Sequence, residues 1–153
     1  MTLIVVGDPR MWLGAKLLLQ RSQSAPPVAV HAAKVLAQEL GRVLPRGHFE
    51  VSSNGDAISI SGVGASRGSG AGSVTAWYWA LPLPKAVSFR LLLKSNADFV
   101  QDFVSTTMGE PWPAPGARAH VRRKRGVFYV WWGGDSYADG LARFRPLTLD
   151  ELE

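Results

Sequence analysis

The stretch His48-Phe49-Glu50-Val51-Ser52-Ser53-Asn54-Gly55-Asp56-Ala57-Ile58-Ser59-Ile60-Ser61 decides the fold class. Apolar and polar residues alternate on both sides of Asn54-Gly55, and a period of two marks strands with one buried face. Asn-Gly is the strongest two-residue hairpin signal, because both positions tolerate a positive φ. With Asn54-Gly55 at the turn centre, Val51 faces Ile58 and Phe49 faces Ile60, all four on one side. His48, Glu50, Ser52, Ala57, Ser59 and Ser61 then share the other side, so register and alternation agree.

Upstream, Val28–Leu44 follows helical periodicity through Val28, Ala32, Val35, Leu36, Leu40, Val43 and Leu44. Lys34, Gln38, Glu39 and Arg42 fill the opposite face. Pro26 and Pro27 suit the start, and Pro45 stops the helix. Residues 1–27 read as an N-terminal arm, with an edge strand at Leu3–Val6, a short helix at Trp12–Gln20 and a linker at Ser22–Pro27. Residues 28–153 read as the folded domain.

Downstream, Gly62–Ser73 is rich in Gly and Ser and reads as a loop. Ser73–Leu81 reads as a third strand, apolar on both faces and ended by Pro82 and Pro84. Lys85–Met108 reads as mostly helix after a short strand at Phe89–Leu93, with Ser95 and Asp98 as a capping box and Gly109 as the C-cap. Arg118–Trp132 reads as a second hairpin, Leu141–Arg145 as a sixth strand and Leu147–Glu153 as an acidic tail. Helix, hairpin, strand, helix, hairpin, strand make an α+β fold: one mainly antiparallel sheet of about six strands, two helices on one face, and the arm. No internal repeat is visible in the sequence.

The 153 residues hold no cysteine, so a disulfide scaffold, a thiol nucleophile and Cys-ligated zinc are excluded. Apolar residues make up 46% and charged residues 19%, the balance of a globular chain. No apolar run approaches the ~20 residues of a spanning helix, and none has the layout of a secretory signal. The expected location is cytoplasmic, or within an assembled particle.

Net charge is +5, and the excess is local. Residues 117–145 carry seven basic and two acidic residues. Arg122-Arg123-Lys124-Arg125-Gly126 forms the basic tip of the second hairpin, and Arg118, Arg143 and Arg145 extend it if the fifth and sixth strands pair. An anionic partner would relieve the repulsion among clustered cations. The bland alternative is a solvated tip that keeps a strand edge from aggregating. Trp131 and Trp132 follow, and alternation sends them to opposite faces. One face is core; the other is exposed, or covered by the arm or another chain, and an exposed aromatic face marks an interface.

Gly64-Ala65-Ser66-Arg67-Gly68-Ser69-Gly70 resembles, over these seven residues, the glycine signature of short-chain dehydrogenases. That resemblance implies a strand, this turn, then a helix N-terminus facing pyrophosphate. Val74–Leu81 reads as strand, so no helix is expected there, and no Tyr-x-x-x-Lys follows. No cofactor is expected. His31, His48 and His120 are scattered. His48 and Glu50 share a strand face without a third ligand, so no metal site is expected. Asp98 and Asp102 are i, i+4 on a helix, and no Gly-x-Ser-x-Gly elbow occurs. An enzyme is not expected.

The expected function is a non-enzymatic structural or assembly subunit, of a virion or secretion type, acting through a protein partner or homo-oligomer. The partner-binding candidates are Arg122, Arg123, Lys124, Arg125, Trp131 and Trp132. The first alternative is nucleic-acid or anionic-polymer binding through the hairpin 118–132, and the second an immunity or antitoxin-like inhibitor. Small phage tail-terminator and neck domains are similar at the level of fold alone.

Overall fold

The computed structural model describes residues 26–64, 71–74 and 76–152. The expected strand and helix of the arm, and most of the glycine loop, lie outside these residues. Helix α1 spans Pro27–Val43, with Pro27 in its first turn and the Leu44 N–H bonded to the Leu40 carbonyl at its end. Its periodic residues Ala32, Leu36 and Leu40 are buried as expected. Glu39, expected on the solvated face, is instead 5% exposed. It accepts from Arg42 (2.8 Å), from Arg145 Nε (3.2 Å) and from the Arg145 backbone N–H (2.8 Å).

Strands β1 (Phe49–Asn54) and β2 (Ala57–Gly62) form the expected hairpin in a shifted register. Asn54 pairs with Ala57 and Val51 with Ile60, so Gly55-Asp56 is the two-residue turn. Gly55 has φ +59° and Asp56 is not among the positive-φ residues, the pattern of a type II′ turn. The displacement from the expected pairing is two residues, which preserves the faces. Ile58 and Ile60 are buried, while Phe49 and Val51 are half-buried against the core. Strand β3 is Ala71–Val74, antiparallel to β2. The third strand stops there: Ala76–Trp79 is a single helical turn, α2, against the expectation that no helix starts in this run. Tertiary contacts decide it. Trp79 stacks on Phe89 at 6.1 Å, and Tyr78 shares a hydrogen bond with Ser95.

Helix α3 runs unbroken over Lys85–Met108 and ends at Gly109 with φ +71°. The strand expected at Phe89–Leu93 is therefore helix, and Ser95 and Asp98 lie mid-helix instead of forming a cap. Asp98 instead pairs with Lys94 at 3.0 Å. Strands β4 (Ala119–Lys124) and β5 (Val127–Trp132) make the second hairpin around Arg125-Gly126, whose φ values of +52° and +75° fit a type I′ turn. Strand β6 is only Ala142–Arg143, and β7 (Leu147–Thr148) falls where a tail was expected, followed by a 3-10 turn at Asp150–Leu152. Both β6 and β7 pair with the same edge of β5, so they are two pieces of one strand interrupted around Pro146. Proline lacks the N–H that an unbroken ladder would need.

The fold is α+β and every ladder is antiparallel. With β6 and β7 counted as one broken strand, six strands accompany the two long helices. The strands do not share one sheet: β1-β2-β3 form the first and β4-β5-β6/β7 the second. One buried cluster joins them. Leu36, Leu40, Ile58 and Ile60 from the first half pack with Phe89, Leu92, Phe128 and Trp132 from the second, and Phe49 meets Phe103 edge-on at 6.0 Å. Glu39 ties α1 to the link between β6 and β7 of the second sheet through Arg145. No helix among the described residues is long and apolar enough to cross a membrane.

Candidate partner-binding face

The β4–β5 register sorts the basic and aromatic candidates. His120 pairs with Trp131, Arg122 with Tyr129, Lys124 with Val127, and Trp131 also with Arg143. Paired residues share a face and neighbours alternate. Arg122, Lys124 and Trp131 therefore lie on the outer face together with His120, Tyr129 and Arg143. Arg123 lies on the core-side face, its guanidinium 6.0 Å from the Phe128 ring. Arg125 occupies the turn. The four consecutive cations are all exposed, but they do not form one patch.

Trp132 belongs to the core. It is fully buried, 5.3 Å from both Trp112 and Phe144, and its indole N–H donates to the Ala97 carbonyl at 3.1 Å. It presents nothing to a partner. Trp131 is on the outer face yet only 5% exposed. The loop between β5 and β6 packs over it, and its indole N–H donates to the Gly134 carbonyl of that loop at 3.3 Å. Tyr137 from that loop stands edge-on to Trp131 at 6.2 Å and to Tyr129 at 5.0 Å. His120 stacks on Trp131 at 5.0 Å. Arg143 sits over the Tyr137 ring at 5.2 Å and donates to the carbonyls of Tyr137 and Ala138. The Tyr137 hydroxyl donates to the Phe144 carbonyl. Burial pushes the Tyr137 phenol up from its ordinary pKa, opposed by Arg143 beside it. The loop lies so close that a Cβ on Gly140 would come within 2.9 Å of the Trp131 Cβ.

These rings form a packed floor, and two concavities open on it. One, of about 560 Å³, lies between α3 and β4, lined by Arg90, Leu91 and Lys94 on the helix side, His120 and Arg122 on the strand side, and Asp135 from the loop after β5. The other, of about 200 Å³, is bounded by Arg122, Lys124, Tyr129, Trp131 and Tyr137. Arg122 and Trp131 line both. Lys94 is engaged by Asp98 and by the Ala119 carbonyl at 2.9 Å. No ion pair reaches Arg90, Arg122, Lys124 or Arg125 among the described residues. Arg145, expected to extend the patch, is turned to Glu39; Arg143 does join the face.

Arg90, Lys94 and Tyr137 escaped the sequence reading. They reach the face from a helix some thirty residues upstream and from a glycine-rich turn, and no local pattern marks them. Among the described residues no three His, Asp or Glu side chains gather as a metal site requires. The described residues that follow the glycine segment, Ala71–Val74, are strand β3 and not the helix N-terminus that a pyrophosphate site needs. No protein-family model, curated protein or solved structure matches the chain.

Proposed function

We propose that this chain is a non-enzymatic interaction subunit that docks an acidic surface of a protein partner on the outer face of its second sheet. The observation that carries the reading is that Arg122 from β4 lines two adjoining concavities, one shared with Arg90 of α3 and the other with Lys124, and that no carboxylate among the described residues pairs with any of the three. Cations so placed accelerate and orient encounter with an acidic surface. A partner is also supported by the tip. Arg125 is held at positive φ, where an L-residue with a long side chain is strained and Asn or Gly is not. Nucleic acid fits less well. Single-strand binding uses open aromatic rings on which bases stack. Here Trp131 is already covered by His120 and Tyr137.

Binding of the full chain to poly-L-glutamate and to duplex DNA, each followed as salt is raised, tests the reading. Tighter binding to polyglutamate, lost in Arg90→Ser/Arg122→Ser/Lys124→Ser, is the expected result. Tighter binding to DNA, with a steep salt slope, moves the function to the phosphate backbone.

A further inference from the structure

We infer that the partner enters the groove between β4 and α3 as an extended acidic segment and adds a strand to the free edge of β4. This rests on the acidic-partner reading above and specifies its geometry.

In an antiparallel ladder, alternate residues turn both backbone groups toward the same neighbour. The Gly133 N–H donates to the Arg118 carbonyl at 2.9 Å, so the even-numbered residues of β4 face β5. Ala119, Val121 and Arg123 must face the other way. The Ala119 carbonyl shows this directly, because it accepts from Lys94 of α3 at 2.9 Å. Further along the edge, β4 has no second strand beside it among the described residues. Val121, which lines the groove that Arg90 and Leu91 flank from the helix, and Arg123 two residues further along the same edge thus offer two N–H and two C=O groups, spaced as a strand spaces them.

An edge of this kind pairs with extended chain, the backbone supplying affinity and alternate side chains supplying selectivity. The cations flanking it, Arg90 and Arg122, select acidic side chains, and Leu91, 45% exposed, offers an apolar contact. A second copy is a poor occupant, because β4 against β4 would set Arg122, Arg123 and Lys124 against one another. A phosphate backbone supplies acceptors but not the alternating donors.

The probe is a random dodecapeptide display library selected on the immobilised full chain, with the enriched peptides then synthesised. Amide hydrogen exchange of the 15N-labelled full chain is read with and without them. The expected outcome is a pool enriched in Asp and Glu whose members slow exchange at Val121 and Arg123 about tenfold or more, with little change at Arg122, which is already in the ladder. Arg123→Pro deletes one edge donor and no bond to β5, so it weakens binding about fivefold beyond Arg123→Ser. Acidic peptides that bind without protecting Val121 and Arg123 overturn strand addition and leave the acidic-partner reading standing. A pool without acidic enrichment, or no binder at all, overturns both. If Arg123→Pro does not fold, exchange in the unsubstituted protein decides alone.

Discussion

The two halves of the chain solve the same problem with different side chains. Each is a helix, a hairpin with a two-residue turn, and a third antiparallel strand on the second strand of the hairpin. In the first half the residues facing away from the buried side include Ser52, Asn54, Ser59 and Ser61, small polar residues of which none is buried. In the second half the same positions hold Arg122, Lys124, Tyr129 and Trp131, and a loop closes over the rings. The first half shows that a small polar surface suffices for this arrangement. The rings and cations of the second half therefore exceed what the fold asks for, and that excess is the reason to look for a partner there. The turns differ in the same sense: Gly55 fills the positive-φ position of the first, whereas an arginine occupies one in the second.

The largest expected effect separates neighbours on opposite faces. Trp132→Ala removes a fully buried ring packed on Trp112 and Phe144 and should destabilise by about 3–5 kcal/mol. Trp131→Ala should cost less, about 2–3 kcal/mol, because its contacts are to one loop and one histidine. Urea unfolding of both variants checks the order. Equal losses would mean that the outer face is a second core and not a surface.

Glu39→Ala comes next, at about 1–2 kcal/mol, because the part-buried Arg145 N–H loses its acceptor and two half-exposed guanidinium groups lose their carboxylate. The bond from Arg145 to Glu39 is one of the contacts that hold α1 against the last residues described, with Arg42 donating to the Arg143 carbonyl and His31 meeting the Glu151 carbonyl. Thermal unfolding, together with amide exchange at Arg145, would show whether the two halves loosen from each other. A loss under about 0.5 kcal/mol would mean that the apolar cluster alone joins them.

Sequence reading reached the elements that local physics dictates and missed those that distant contacts dictate. The periodicity of α1 holds because seven apolar residues report one face, and only Glu39 departs from it, drawn in by Arg145 from the far end of the chain. The first hairpin was legible in existence and in its faces. Its pairing was not, since a shift of two residues leaves Phe49, Val51, Ile58 and Ile60 on the same side, and both Asn54-Gly55 and Gly55-Asp56 can turn. Trp77-Tyr78-Trp79 carries strand propensity, yet α2 forms because Phe89 and Ser95 receive Trp79 and Tyr78 from another element. Of the candidate site, the four cations were visible as a run. Their division between two faces follows from pairing, and the contributions of Arg90 and Tyr137 exist only once the chain is folded.

The two tips give a smaller effect of opposite sign. Gly55→Ala should destabilise by about 1 kcal/mol, since alanine resists φ +59°. Arg125→Asn should stabilise by about 1 kcal/mol, since it places Asn-Gly where a type I′ turn prefers it. Chemical denaturation reads both. If Arg125→Asn gains nothing, the strain at the tip is not real and its weight as a functional sign disappears.

The smallest expected change in stability is the one that bears most on function. Changing Arg122, Arg123, Lys124 and Arg125 together to Ser should shift the folding free energy by less than about 0.5 kcal/mol, because all four are exposed and no ion pair reaches them among the described residues. Losing the Arg123 contact with Phe128 and relieving the mutual repulsion act in opposite directions. A melting temperature within about 2 °C of the parent would show that the fold does not need these cations. The variant should at the same time lose most of its affinity for polyglutamate, with the deficit largest at low salt, where screening is weakest. A clear drop in melting temperature would place the cations among the structural contacts of the second half. It would also remove the contrast with the serine-faced hairpin on which the functional reading depends.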